Sequence, residues 1–308
     1  MCQVYSGFAS IFSNIIGATK LYKYTKLDQE AFILVVSLAI ALFAMTLQCI
    51  VTPEEPLKEK PKSTNPFVQI WSALKNVPRP FARVMPAFVF TYIATYQYQV
   101  AFSQFIAQDL FGGDNNDQGD PVLKEKYKDG LSWAMECNIV NNAVQLLYGF
   151  ANSKVCEWIG MKWVMILGLA LQSTALLLFF FLNNKYAYFA ITAVLGLGNV
   201  IYMAVPYAIV SLCVPTEELG GNLGILNAIG VLGQQVSNFG IGTGLAKIGD
   251  AWTTARYKIG ISSAFGYLGT IAAFWIIQPD LDEAGKYRPI QDSATSGTAG
   301  MSSISLIE

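Results

Sequence analysis

Apolar positions in this chain gather into long unbroken runs and do not alternate with polar ones. Charge-free windows cover Met1–Thr19, Ala31–Pro53, Val84–Gln108, Tyr186–Thr216, Leu219–Ala246 and Ile259–Pro279. Two more are interrupted once each: Met161–Asn184 by Lys162 and Gly130–Asn152 by Glu136. Crossing about 30 Å of hydrocarbon takes roughly 20 apolar residues in a helix. The pattern therefore predicts an all-α polytopic membrane protein with about eight transmembrane helices. Two spans precede and six follow a polar stretch, Glu54–Arg83, that holds six cationic side chains and five prolines. The expected organisation is a pair of helices in residues 1–53, a connector at 54–83, a six-helix body at 84–279 and a disordered tail at 280–308.

Within the connector, Phe67, Ile70, Trp71 and Leu74 recur at helical spacing. They predict a short amphipathic helix at the membrane surface over Asn65–Asn76. Pro78 and Pro80 follow, where a helix cannot continue its hydrogen-bond ladder.

The spans themselves are not uniformly greasy. Tyr92, Tyr96, Gln99 and Ser103 lie at i, i+4, i+7 and i+11, on one helix face, while Gln97 and Gln104 line another. Polar stripes in lipid are costly unless they face a wet cavity or bond to neighbouring helices. In the fourth span, Asn138, Asn142 and Gln145 share a face directed away from Glu136, the only ionisable group well inside a window. Two chemistries remain open for Glu136: a functional carboxylate, or one reaching headgroup-level water. Gly196, Gly198, Asn199, Tyr202 and Pro206 fall mid-span and predict a bendable helix. Further on, Gly220/Gly224 and Gly240/Gly244 form small-xxx-small pairs that predict close helix approach. Asn227, Gln234 and Asn238 share a face of that same helix.

Composition narrows the function classes. Hydrophobic residues make up 53% and charged residues 13%, far below the quarter usual for soluble domains. Histidine is absent, and the five cysteines follow neither a disulfide framework nor a zinc pattern. With no metal spacing and no nucleophile motif, an enzyme and a bound cofactor find no support. No basic run suits a nucleic acid. Asp114, Asn116, Gln118, Gly119 and Glu125 approach the EF-hand spacing, but Gln118 and Pro121 break it, which leaves an acidic loop over Asp109–Asp129. Lysines and arginines divide ten against ten between the two sides, so the positive-inside rule assigns no orientation.

Several stretches together resemble one family. IWSALKNVPRPF (Ile70–Phe81), FSQFIAQDLFGGD (Phe102–Asp114), KYKDG (Lys126–Gly130), AVPYAIVS (Ala204–Ser211) and GNLGILNAIGVLGQ (Gly221–Gln234) look like the plant sucrose transporters and their animal glycoside-transporter relatives, within the major facilitator superfamily. The acidic–glycine–basic turn Glu157, Gly160, Lys162 is similar to the turns joining paired helices in that superfamily. The resemblance runs from the family's fifth helix at Met1 to its twelfth ending near Pro279, without the first four. It implies a major facilitator fold with a cytosolic connector and an external Asp109–Asp129 segment. It also implies alternating-access uptake of sucrose or a related disaccharide by proton symport, in a plasma or vacuolar-type membrane. The implied partners are the sugar, the proton, the bilayer and an N-terminal half. Gln104 stands where the animal relatives usually carry an acid, and Gly233 replaces a usual proline.

Amides and aromatic faces hold hydroxyl-rich solutes, so the expected solute contacts are Tyr96, Gln99, Gln104, Asn142, Asn199 and Asn227, with Glu136 as the proton-coupling candidate. A different class also stands open: a truncated, transport-inactive chain, or an assembly partner of another membrane protein.

Overall fold

A computed structural model describes residues 29–51, 77–115, 120–214, 216–245 and 254–277, together with residue 75 and the positions 10–11, 13–16, 18–19 and 24–25. The expected connector helix, the tail and most of Met1–Thr19 lie outside the described residues. Among the described residues the chain is all-α, with no strand.

The first helix, α1 (Gln29–Val51), is followed by α2 (Arg79–Gln104), α3 (Pro121–Ile159), α4 (Met161–Leu177), α5 (Ala187–Cys213), α6 (Thr216–Ser237) and α7 (Ala255–Ala273). Helices α2 and α6 each end in a π-helical turn, Phe105–Leu110 and Asn238–Thr243. Among the described residues, three stretches are long and apolar enough by themselves to cross a membrane: Ala31–Val51, Met161–Phe180 and Ala187–Cys213. The other helices carry polar or charged side chains within their runs, such as Gln97 and Gln99 in α2, Asn141 and Asn142 in α3, Gln234 and Gln235 in α6, and Arg256 and Lys258 in α7.

Helices α2 to α7 pack into one up-and-down body, whereas no described residue in the apolar window of α1 is buried. Two apolar clusters fill the body, one above the other. At the connector end, Phe81, Phe88, Met165, Leu169, Ile209 and Leu226 bring together the starts of α2, α4 and α6 and the end of α5. At the opposite end, here the loop end, Phe105, Phe179, Tyr188 and Ile259 join the end of α2 to the starts of α5 and α7. Phe105, Phe179 and Tyr188 meet at centroid separations of 5.0–5.1 Å in tilted and edge-on contacts, the arrangement the ring quadrupole favours.

Several local expectations are corrected. The stretch Asp109–Asp129 is not all loop. Asp120 caps α3 by accepting from the Val122 amide at 2.9 Å, and Pro121 takes the first turn, where its missing N–H costs nothing. That helix begins inside what would be the calcium loop. At 39 residues α3 is about 58 Å long, so it exceeds the hydrocarbon layer and carries Lys124–Asp129 into water. Its far end runs unbroken to Ile159, and the turn into α4 is Gly160 alone. Gly160 has φ +84°, a conformation that only glycine adopts without strain.

Proline 206 sits inside α5 without ending it. Among the described residues, the glycine pairs Gly220/Gly224 and Gly240/Gly244 meet no other helix: a Cβ at Gly220, Gly224 or Gly240 would have nothing within 4 Å, and one at Gly244 would meet only its own turn. The residues that do are Gly230 and Gly233, where it would lie 2.9–3.3 Å from Phe88, Val89 or Tyr92 of α2.

Candidate functional site

Amides in the middle of a membrane helix must find partners or water. In this body they do both, around a cavity of about 300 Å³. Helix α2 supplies Tyr98, Gln99, Phe102 and Ser103 to its wall, α3 supplies Asn138, Asn141 and Asn142, and α5 supplies Asn199. Ser10, Ser13 and Asn14, from the helical turns before α1, close it from another side. None of these side chains is charged.

The wall is held by a set of side-chain bonds that also decides what each amide can offer. Buried Asn141 donates to the Thr192 carbonyl of α5 at 2.8 Å and accepts from Gln145 at 2.5 Å. This anchoring works because Gly196 lets α5 approach α3 until a Cβ would stand 2.3 Å from the Asn141 carbonyl oxygen. Gln145 also donates to Asn142 Oδ1 at 3.3 Å. Buried Gln172 of α4 donates to Asn199 Oδ1 at 3.1 Å, and Gln99 donates to the Tyr202 hydroxyl at 3.2 Å. With those atoms engaged, Asn142 and Asn199 keep N–H groups to donate, and Gln99 keeps a carbonyl to accept. Tyr98 and Phe102 back the wall as almost wholly buried rings. Tyr98 is 6% exposed and its hydroxyl has no hydrogen-bond partner.

Of the seven residues singled out from sequence, Gln99, Asn142 and Asn199 share this cavity. Gln104 is exposed and donates to Gln108 at 2.9 Å, and Tyr96 is half-buried away from the wall. Asn227 accepts from Tyr207 on the exposed side of α6. Glu136 is exposed outside the cavity, as expected of a residue turned away from Asn138. Gln97 satisfies the other expectation for polar stripes: it is buried and donates to the Ser237 carbonyl at 2.8 Å and to its hydroxyl at 3.1 Å, joining α2 to α6. Sequence reasoning passed over Ser10, Ser13 and Asn14, although their i, i+3, i+4 spacing on an apolar segment marks one helix face.

A family model of the major facilitator superfamily matches residues 130–303, more than half of the chain. The chain belongs to the major facilitator superfamily. It is an integral membrane protein and a secondary transporter, a class that binds small molecules within the membrane. This facilitator is also similar to the crystal structure of a bacterial homologue of the human lysosomal transporter Spinster, in an inward-facing and unoccupied conformation. Identity is 15%, the TM-score is 0.49, and the match covers 93% of this chain and 68% of that one.

Proposed function

We propose that this facilitator carries a neutral, hydroxyl-rich solute, sucrose or a related disaccharide or glycoside, by alternating access coupled to a proton. The observation that supports this most is the cavity wall: among the described residues it carries six amides and three serine hydroxyls, and no carboxylate or cation. A charged solute would lose its hydration there without gaining a counter-charge, a cost of several kcal/mol. A sugar hydroxyl both donates and accepts, which matches a wall offering N–H groups from Asn142 and Asn199 and a carbonyl from Gln99. The resemblance to sucrose transporters points to the same solute class, and with it to a cytosolic connector. The division into residues 1–53, 54–83, 84–279 and 280–308 belongs to the same proposal, as do the solute contacts. Among these, Gln99, Asn142 and Asn199 are the ones the cavity favours over Tyr96, Gln104, Asn227 and Glu136.

Uptake of labelled sucrose and maltose by transport-deficient yeast tests the proposal. Saturable uptake that falls at least tenfold in Asn199→Leu is the expected result. No uptake of either sugar at any pH, with the protein confirmed at the surface, removes it.

A further inference from the structure

Helix α7 begins in an unusual way. Its N-cap residue, Thr254, has the extended backbone of a capping position, yet its side chain makes no cap bond and its hydroxyl is buried without a partner. The donor left open by the first turn is instead taken from another helix. The Arg256 backbone N–H donates to Asp109 Oδ2 at 2.8 Å. Asp109 lies in the π-helical turn that ends α2, just beyond the Val84–Gln108 span. The Arg256 guanidinium stands 5.5 Å from the Phe105 ring centroid of the same turn. One carboxylate thus ties the irregular end of α2 to the start of α7, at the loop end of the body. Single π-helical turns are rare and fall frequently at functional sites.

We propose that Asp109 is a proton-linked bolt: protonated, it stays seated on the α7 N-terminus and holds this end of α2 closed against α7, and ionised, it is released toward water. An acid group accepts the Arg256 N–H through its carbonyl oxygen in either state, although that bond and the guanidinium favour the ionised form. Burial acts the other way and more strongly. It raises the affinity of Asp109 for its proton, and the Arg256 bond and charge only partly oppose that effect. The seated carboxyl holds its proton more tightly than the same carboxyl in water, so falling pH favours the seated state. By linkage the change occurs between the raised value and the ordinary carboxylate range near 3.9, with no further gain below both. Among the described residues, the charged group acting on Asp109 is Arg256. Helix α3 meets the segment at Gly130, against Ala107, and at Tyr127, against Gly113.

For the transport reaction, which rests on the solute proposal above, Asp109 would then be the titratable group that Gln104 cannot be and that exposed Glu136 does not provide. The bolt itself is tested without any solute. Spin labels at Gln108→Cys and Lys258→Cys, in the otherwise cysteine-replaced full chain, report the separation of α2 and α7 in detergent. The expected result is one short distance at about pH 4, near the ordinary carboxylate value, and a severalfold larger long-distance population at about pH 8. Asp109→Asn should keep the short distance at both, and Asp109→Ala the long one. An unchanged distribution across pH in the parent, or Asp109→Asn titrating like the parent, overturns the proposal. Size-exclusion elution at the parent position confirms that each variant is folded. Sucrose binding by the parent, measured separately, distinguishes failure of the bolt from failure of the solute proposal.

Discussion

The wall of the cavity depends on how closely α5 approaches α3, and Gly196 sets that distance. A Cβ built there lies 2.3 Å from the Asn141 carbonyl oxygen and 3.3 Å from its Cα. Ordinary contact needs about 3.4 Å, so Gly196→Ala forces the two backbones apart by roughly 1 Å. Overpacking of this kind costs about 1–3 kcal/mol. The bond from Asn141 to the Thr192 carbonyl, one turn away, is weakened with it, at about 0.6 kcal/mol for an interhelical membrane bond. Against these stands the gain of about 1 kcal/mol that alanine brings over glycine in a helix. Gly224→Ala isolates that gain, since nothing lies within 4 Å of its Cβ. The two variants should therefore differ by about 2–4 kcal/mol, with Gly224→Ala at or above the parent and Gly196→Ala below it. At 2–4 °C per kcal/mol for a body of this size, the midpoints separate by about 4–16 °C. Thermal unfolding in detergent, followed by fluorescence of the buried aromatics, reads this directly. Equal midpoints for the two variants would refute the α3–α5 contact as described.

Other consequences follow from single side chains. Tyr98→Phe removes a buried hydroxyl that has no partner, so it should raise stability by about 1–3 kcal/mol; a lower midpoint would show that the hydroxyl is satisfied. Gln97→Leu strips two bonds from Ser237 and should lower the midpoint by the equivalent of about 1–2 kcal/mol, while Gln104→Leu, an exposed neighbour, leaves it unchanged. Asp120→Ala removes the cap of α3 and should cost about 1 kcal/mol, visible as faster amide exchange in the first turn after Pro121. Glu136→Gln should leave pH-driven accumulation intact, because Glu136 lies outside the cavity; abolished accumulation would restore it as the coupling group.

The spans were legible in the sequence because hydrocarbon imposes a length on every helix that crosses it. Helices α1 to α7 each fall on a window free of charge or interrupted once. The ends were less legible. Lys124, Glu125, Lys126, Lys128 and Asp129 look like a loop by charge, but a helix that projects beyond the membrane is equally polar, and only Asp120–Pro121 marks its start. Glycine spacing names a face without saying what lies against it. Gly220 and Gly224 meet no described residue, whereas Gly230 and Gly233 meet α2. The site was half legible for a similar reason. Mid-span amides are costly enough to be noticed, which identified Gln99, Asn142 and Asn199. Whether an amide faces a cavity, as Asn199 does, or a neighbouring helix, as Gln97 does, depends on helix rotation, which a single sequence does not carry. Asp109, at a helix end and close to water, gave no signal until Arg256 was found beside it.

The most direct test of a neutral polyol site is equilibrium binding to the purified chain. Labelled sucrose and maltose should compete for one saturable site, with affinity reduced at least tenfold in Asn142→Leu and Asn199→Leu. A charged analogue of the same size, such as a disaccharide bearing a carboxylate, should bind far more weakly. Equal or tighter binding of the charged analogue, or no binding of either neutral sugar, would contradict the account.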